Sequence, residues 1–109
     1  MAQVEYDASA DIGAITYHDE KAIDEASEKT LHIQFQHGPV GENGVNGVQN
    51  EDVLGLLGMR LRALNARVPC RENSIAITKI EEAIHWLEHR TAARVAQGVE
   101  GTHENHTDA

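Results

Sequence analysis

The spacing of apolar residues predicts a strand in the first third of the chain. Leu31, Ile33 and Phe35 alternate with His32, Gln34 and Gln36, which is the period-two pattern of a half-buried strand over residues 31–36. Residues 12–17 are consistent with a second, shorter strand. The rest of residues 1–30 is polar and weakly patterned, and within it residues 19–29 predict a loop or a weak helical turn.

A glycine-rich segment, GPVGENGVNGV, follows at residues 38–48. Gly41, Gly44 and Gly47 recur every three residues, and asparagines stand between them, so the segment predicts a loop with tight turns. Bare backbone amides in such a loop are able to form an anion site. The segment lacks the Gly-Lys-Ser/Thr ending of a phosphate-binding P-loop, so the turn interpretation is favoured.

Two helices are predicted beyond the loop. Asn50 is a suitable N-cap for the first, which runs at helical spacing to about Ala66 and is broken by the segment containing Pro69. The second spans about Arg71 to Gln97, with Gly98 as its C-cap. Small and apolar residues define the inner face of the second helix: Ala76, Ile77, Ile80, Ala83, Ile84, Leu87, Thr91 and Val95.

These elements predict an α+β fold, with short N-terminal strands followed by an antiparallel helical hairpin. The second helix is about 40 Å long at about 1.5 Å per residue, and the shorter first helix cannot cover it. The core is therefore thin, and we expect subunits of a symmetric oligomer to bury the remaining apolar surface. We divide the chain into an acidic segment (1–30), the strand and hairpin domain (31–103) and a tail (104–109).

Charge is unevenly distributed along the 109 residues, whose net charge is −9. Residues 60–94 hold seven of the nine Lys and Arg residues against four acids, a balance of +3. An acidic chain is a poor candidate for binding duplex nucleic acid, whereas a local basic patch suits a small anionic ligand. The alternative is an ordinary charged helix surface. The single cysteine excludes an internal disulfide and favours a reducing compartment, and we expect neither a signal peptide nor a membrane span.

The basic patch has a pattern on the second helix. Lys79, Trp86, Arg90 and Arg94 lie along one edge of the inner face at 100° per residue. Arginines contact phosphates in bidentate form, and Trp86 is able to stack on a base. The alternative is that Trp86 anchors a subunit interface with the cations beside it. Asn73 points about 100° away from Arg90, so one small ligand would more easily contact both residues from two copies. The alternative is that Asn73, with Glu72, serves the helix N-terminus, where acids and Asn are favoured.

Enzymatic chemistry has little support among the residues. His85 and His89 are four apart, but the segment reads HWLEH rather than the zinc motif HExxH. Neither a Ser-His-Asp nor a Cys-His arrangement is suggested, and Cys70 has no local support as a nucleophile. We therefore expect no catalytic residue, no metal and no cofactor.

Three segments together resemble a known family: HIQFQHGPVGENGVNGVQNEDVL, CRENSIAITKIEEAIHWLEHRTAAR and GVEGTH. They are similar to the phage sponges that block bacterial cyclic-nucleotide immunity, the Thoeris anti-defence and anti-CBASS proteins with a shared helical-hairpin domain. The resemblance covers about residues 31–103. It implies a hexamer with pockets between subunits that binds cyclic ADP-ribose isomers, cyclic dinucleotides or cyclic trinucleotides without cleaving them.

The resemblance also implies site residues. The first pocket is similar to the set Asn73, Arg90 and Arg94, and we add Arg71, Leu64 and Trp86 to it as candidates. A second pocket, for cyclic oligonucleotides, is implied at Gly98, Gly101, Thr102 and His103. The family often has an aromatic residue where this chain has Leu64, a departure that favours cyclic oligonucleotides over cyclic ADP-ribose isomers.

The function implied is sequestration of immune signals in the cytoplasm of the infected bacterial host, which antagonises Thoeris or CBASS. The partners expected are cyclic nucleotides and further copies of the chain, and neither duplex nucleic acid nor a membrane is expected. A purely structural oligomerisation hairpin and a nucleotide hydrolase are the alternatives.

Overall fold

The computed structural model describes residues 2–18 and 28–98. In chain order these form three strands and then three helices: β1 (Gln3–Asp7), β2 (Ile12–His18), β3 (Glu28–Gln34), α1 (Val40–Asn43), α2 (Asn50–Arg67) and α3 (Arg71–Gln97). The predicted α+β class is confirmed, with the strands first and a long helix last. The described helices include none that is long and apolar enough to cross a membrane.

The strands form one antiparallel sheet in the order β1-β2-β3. The strand predicted over residues 12–17 is confirmed, whereas β1 is not apparent in the sequence pattern. The prediction of a loop or helical turn is wrong for Glu28 and Lys29, which pair with His18 and Tyr17 in the sheet. This pairing supplies backbone hydrogen bonds that outweigh the weak apolar pattern. Residues 19–27, in the remainder of that prediction, lie outside the described residues.

The predicted strand at residues 31–36 is shifted in the structure. It begins earlier, at Glu28, and ends at Gln34, after which Phe35 makes a single parallel bridge with Val48. Ile33 and Phe35 are half-buried, as the alternation predicts, but Leu31 is 57% exposed. The bridge brings the glycine-rich loop back to the sheet, directly before α2.

The glycine-rich loop is held by two amide side chains. Gln36 Nε2 donates to the carbonyl oxygens of Gly38 (3.1 Å) and Gly44 (2.8 Å), and Gln36 Oε1 accepts from the Asn46 amide (3.1 Å). The Asn46 side chain bonds both the N–H and the C=O of His37, each at 2.8 Å. Gly38 and Gly44 have φ of 75° and 70°, so the tight turns are confirmed, with α1 as an additional helical turn between them.

Both long helices begin with a capped residue. The prediction of Asn50 as N-cap is wrong by one position, because Gln49 has the extended backbone of the cap residue. The backbone N–H of Gln49 donates to Asp52 Oδ2 at 2.9 Å. At α3, Cys70 is the N-cap and its Sγ accepts from the Asn73 amide (3.4 Å). Gly98 is confirmed as the C-cap, in the left-handed conformation with φ of 73°.

The two long helices pack as the predicted hairpin. Gly58 is buried at their contact, where a Cβ would lie 3.7 Å from Ile80 Cγ2, and Arg62 and Glu81 form an ion pair of 2.6 Å. The inner face of α3 is half-buried except at Val95, which is 62% exposed. Among the described residues no large side chain is fully buried, so the core of one chain is thin.

Candidate functional site

A cavity of about 350 Å³ lies between the start of α2 and the last third of α3. Three consecutive residues that begin α2 form one wall, and three residues near the end of α3 form the other: Gln49, Asn50 and Glu51, and Leu87, Arg90 and Thr91. The helical hairpin is antiparallel, and this brings the two ends together. Arg90, a member of the predicted basic stripe, therefore lines this cavity.

The charged groups of this cavity are not committed to structural contacts. Neither Arg90 nor Glu51 forms an ion pair or side-chain hydrogen bond within the described part of the chain, and the same holds for the Asn50 amide. By contrast, Thr91 Oγ1 donates to the Leu87 carbonyl at 3.2 Å. The cavity thus offers a ligand one guanidinium, one carboxylate and one amide.

A second cavity, of about 260 Å³, adjoins the first. The two share Gln49 and Asn50 as a common wall. The other lining residues come from the sheet and from the segment after it: Tyr6, Asp11, Phe35, Gln36 and Val48. The rings of Tyr6 and Phe35 meet edge to face, with centroids 6.3 Å apart at 76°.

Asp11 forms hydrogen bonds with Tyr6 and His37 on the polar side of the second cavity. Its Oδ1 accepts from the Tyr6 hydroxyl, and its Oδ2 lies 2.9 Å from His37 Nδ1. These hydrogen bonds, first from Tyr6 and then from His37, lower the pKa of the Asp11 carboxyl below its ordinary value. The Tyr6–Asp11 hydrogen bond also raises the pKa of Tyr6, because the neutral phenol donates to the carboxylate. Asp11 also has φ of 55°, a left-handed backbone that fits the turn between β1 and β2.

Among the remaining members of the basic stripe, Arg94 differs from Arg90 in exposure, whereas Trp86 and Lys79 are exposed as Arg90 is. Trp86 is 67% exposed and lies edge-on to His85 and His89, with ring centroids at 6.0 and 5.7 Å. Arg94 is only 7% exposed. Lys79 lies 3.7 Å from Glu82. The stripe predicted from the helical wheel therefore contains one buried arginine, one free arginine and an exposed indole.

Three other predicted site residues, Asn73, Leu64 and Arg71, lie at the opposite end of the hairpin. Asn73 and Leu64 are half-buried there, and Arg71 is exposed. Asn73 is 17 positions before Arg90 on one helix, so the two are about 25 Å apart along it. One chain does not bring them together, and their joint site remains a prediction. Gly98 caps α3, while Gly101, Thr102 and His103 lie outside the described residues.

Comparison with known proteins assigns the hairpin to a family. The sequence profile of the Acb2/Tad1 hairpin domain matches residues 27–92. The chain belongs to the Acb2/Tad1 hairpin family. It is also 53% identical over 77 residues to Thoeris anti-defense 1 of Bacillus phage SBSphiJ7, which covers 70% of this chain and 54% of that protein. The chain thus spans about half the length of this curated relative. The resemblance to the sponge family is confirmed.

Several residues of the two cavities are not identified by sequence reasoning. Asn50 and Glu51 are residue types expected at any helix start, so they carry no signal of a site. Tyr6 and Asp11 are far from Arg90 in the chain and lie before the residues that the family profile matches. The described residues contain no group of three His, Cys, Asp or Glu side chains placed to hold a metal ion.

Proposed function

We propose that the chain is a phage anti-defence protein that binds cyclic nucleotide immune signals and sequesters them without cleavage. Membership in the Acb2/Tad1 hairpin family supports this proposal, as does the relative named for Thoeris anti-defence. The proposed ligands are cyclic ADP-ribose isomers, cyclic dinucleotides and cyclic trinucleotides. The proposed place of action is the cytoplasm of the infected bacterial host, where host effectors then stay without their signal.

The single observation that carries the proposal is the guanidinium of Arg90, which lines the cavity between α2 and α3 and has no partner in the described part of the chain. An arginine with no structural partner has its full set of N–H donors available to phosphate oxygens. The hydrolase alternative depends on histidines, and the six residues that line this cavity include neither His nor Cys. The lining therefore favours holding a nucleotide over attacking it by imidazole or thiolate chemistry.

Oligomerisation belongs to the same proposal. Leu56, Met59 and Trp86 are 70%, 67% and 67% exposed on the hairpin, and exposed apolar side chains of this size favour burial against a partner. We propose a hexamer in which a second subunit brings its Asn73, with Arg71 and Leu64, to the Arg90 end of the first. This arrangement would complete the first pocket across the interface, and residues 98–103 would contribute to the second.

A depletion-and-release experiment tests sequestration. The protein is mixed with a panel of cyclic nucleotides and removed by filtration, and the free nucleotide is quantified by chromatography. The retained protein is then heated, and the released nucleotide is analysed by mass spectrometry. Depletion followed by release of the unaltered nucleotide is the expected result. Release of a changed product would establish an enzyme, and no depletion across the panel would leave a structural hairpin.

The assignment of Arg90 needs a matched control. Arg90→Ala should abolish binding in the first pocket while the oligomer stays assembled. Arg60→Ala is the control, because Arg60 is also an exposed arginine but does not line either cavity described above. Full binding by the Arg90 variant, or an equal loss in both variants, would remove Arg90 from the site.

A further inference from the structure

Two histidines stand about one helical turn apart on the outer surface of α3. His85 and His89 are both exposed, and neither lines a cavity described above. Residues four apart lie on the same face of a helix, with their Cβ atoms about 6 Å apart. The two imidazoles are thus neighbours on a surface separate from the cavity that contains Arg90.

Both imidazoles have nitrogens available to a ligand. Neither His85 nor His89 forms a hydrogen bond or an ion pair with residues 2–18 and 28–98. Each ring instead lies edge-on to the Trp86 indole, with ring centroids 6.0 Å apart for His85 and 5.7 Å apart for His89. Contact with the same indole places both rings on one side of the helix.

We propose that His85 and His89 chelate a divalent transition-metal ion, with Cu²⁺ bound most tightly. Neutral imidazole is a common ligand of copper, nickel and zinc, and the affinity of nitrogen ligands along this series is highest for copper. The second imidazole of one helix acts at a high effective concentration, so the pair binds an ion much more tightly than one histidine does. Mg²⁺ and Ca²⁺ prefer oxygen ligands and do not compete.

The chelate has fewer protein ligands than a structural or catalytic zinc site. No third His, Cys, Asp or Glu side chain in the described part of the chain is placed to complete it. The remaining positions around the ion are therefore open to water. The expectation that the chain binds no metal depends on the missing HExxH motif, whose glutamate serves catalysis. Chelation requires only the two imidazoles and their spacing.

A bound ion would join two successive turns of α3. His89 directly precedes Arg90, so the ion would stabilise the part of the helix from which Arg90 reaches its cavity. A ligand that prefers the folded chain stabilises it by mass action. The melting temperature should therefore rise when Cu²⁺ is added, and this rise should be absent in His85→Ala.

Trp86 supplies a direct readout, because it is the one tryptophan of the chain and contacts both histidines. A Cu²⁺ or Ni²⁺ ion held beside an indole quenches its fluorescence. The full chain, without a polyhistidine tag, is titrated with Cu²⁺, Ni²⁺ and Mg²⁺. Cu²⁺ should quench at the lowest concentration and Ni²⁺ at a higher one, whereas Mg²⁺ should have no effect. A chelator added afterwards should restore the fluorescence.

Variants assign the quenching to the pair. His85→Ala and His89→Ala should each raise the Cu²⁺ concentration at half-quenching by at least about tenfold, because one imidazole remains. His32→Ala is the matched control, since His32 is an exposed histidine of β3, and His103→Ala with His106→Ala removes the histidines of the tail. Both controls should quench as the wild type does. Circular dichroism verifies that each variant keeps its helical content.

The outcomes decide the chelate without reference to nucleotides. Absence of quenching by Cu²⁺, or unchanged half-quenching in both His85→Ala and His89→Ala, overturns it. An equal loss in His32→Ala or in the tail variant also overturns it, because the ion would then bind elsewhere. Since the titration contains no nucleotide, none of these results changes the case for sequestration.

Discussion

Arg90 and Glu51 face one cavity from opposite helices, and neither is paired with another described side chain. A cation and an anion thus stand free in the same small space. A phosphate attracted by Arg90 would lie near the Glu51 carboxylate and be repelled by it. The Glu51 carboxylate should therefore weaken the binding of negatively charged ligands to this cavity, and this effect can be measured.

Glu51→Gln should strengthen binding of a phosphate-bearing ligand by about twofold to fivefold, because it removes a like charge at a partly exposed site. The gain should shrink as salt is added, since mobile ions screen exposed charges. Calorimetry at two salt concentrations measures both effects. Glu28→Gln is the control, because Glu28 is an exposed acid of the sheet that lines neither cavity described above. Weaker binding by Glu51→Gln would contradict repulsion and indicate that the carboxylate accepts hydrogen bonds from the ligand.

Arg94 and Arg90 should separate into a structural and a binding residue. Arg94 is 7% exposed and has an interaction of its own within the protein, whereas Arg90 is exposed and has no side-chain partner among residues 2–18 and 28–98. Arg94→Ala should therefore lower the free energy of unfolding by about 2 kcal/mol, because it removes a buried side chain that interacts with the rest of the protein. Arg90→Ala should leave it unchanged within about 0.5 kcal/mol. Urea titrations followed by circular dichroism measure both, and equal stabilities would contradict this division.

The hairpin could be predicted from the sequence because the helical periodicity ends where Pro69 and Gly98 interrupt the helices. The sheet could be predicted only in part. Every residue of β1 is exposed, so no buried face imposes an alternating pattern on that strand. Asn50 and Glu51 could not be identified as site residues, because helix starts favour the same residue types. They line the cavity only because the start of α2 lies beside Arg90 of α3, and a helical wheel of one helix cannot predict that contact.

Gly47 should tolerate no side chain. A Cβ there would lie 2.4 Å from the Phe35 carbonyl oxygen, which belongs to the backbone and cannot rotate away. Gly47→Ala should therefore break the Phe35–Val48 bridge and lower the melting temperature. Gly55→Ala is the control, because a Cβ at Gly55 meets nothing within 4 Å and Gly55 lies inside α2, where the helical backbone suits any L residue. Melting temperatures should fall further for Gly47→Ala, and equal losses would refute the steric explanation.

Stability should fall in acid because of Asp11. Its pKa is lowered in the folded chain by hydrogen bonds from Tyr6 and His37, so the folded state favours the carboxylate. The resulting stabilisation is present above the ordinary aspartate pKa of about 3.9 and is lost as pH falls through the lower folded value. Asp11→Asn should reduce the fall of the melting temperature between about pH 5 and pH 2. Glu5→Gln, on the same sheet, is the control and should leave this fall unchanged. An unchanged slope in the Asp11 variant would refute this role.

The exposed face of α2 should be a subunit interface. Leu56 and Met59 are three residues apart on one helix surface, and they are 70% and 67% exposed in a chain whose described part has no fully buried large side chain. Exposed groups of this size cost solubility unless a partner covers them. Leu56→Glu with Met59→Glu should therefore convert the proposed hexamer to smaller species while the helical content is kept. Val45→Glu is the control, because Val45 is 80% exposed but lies in the glycine-rich loop. Native mass spectrometry would report the masses, and a hexamer that survives both changes would place the interface on another face.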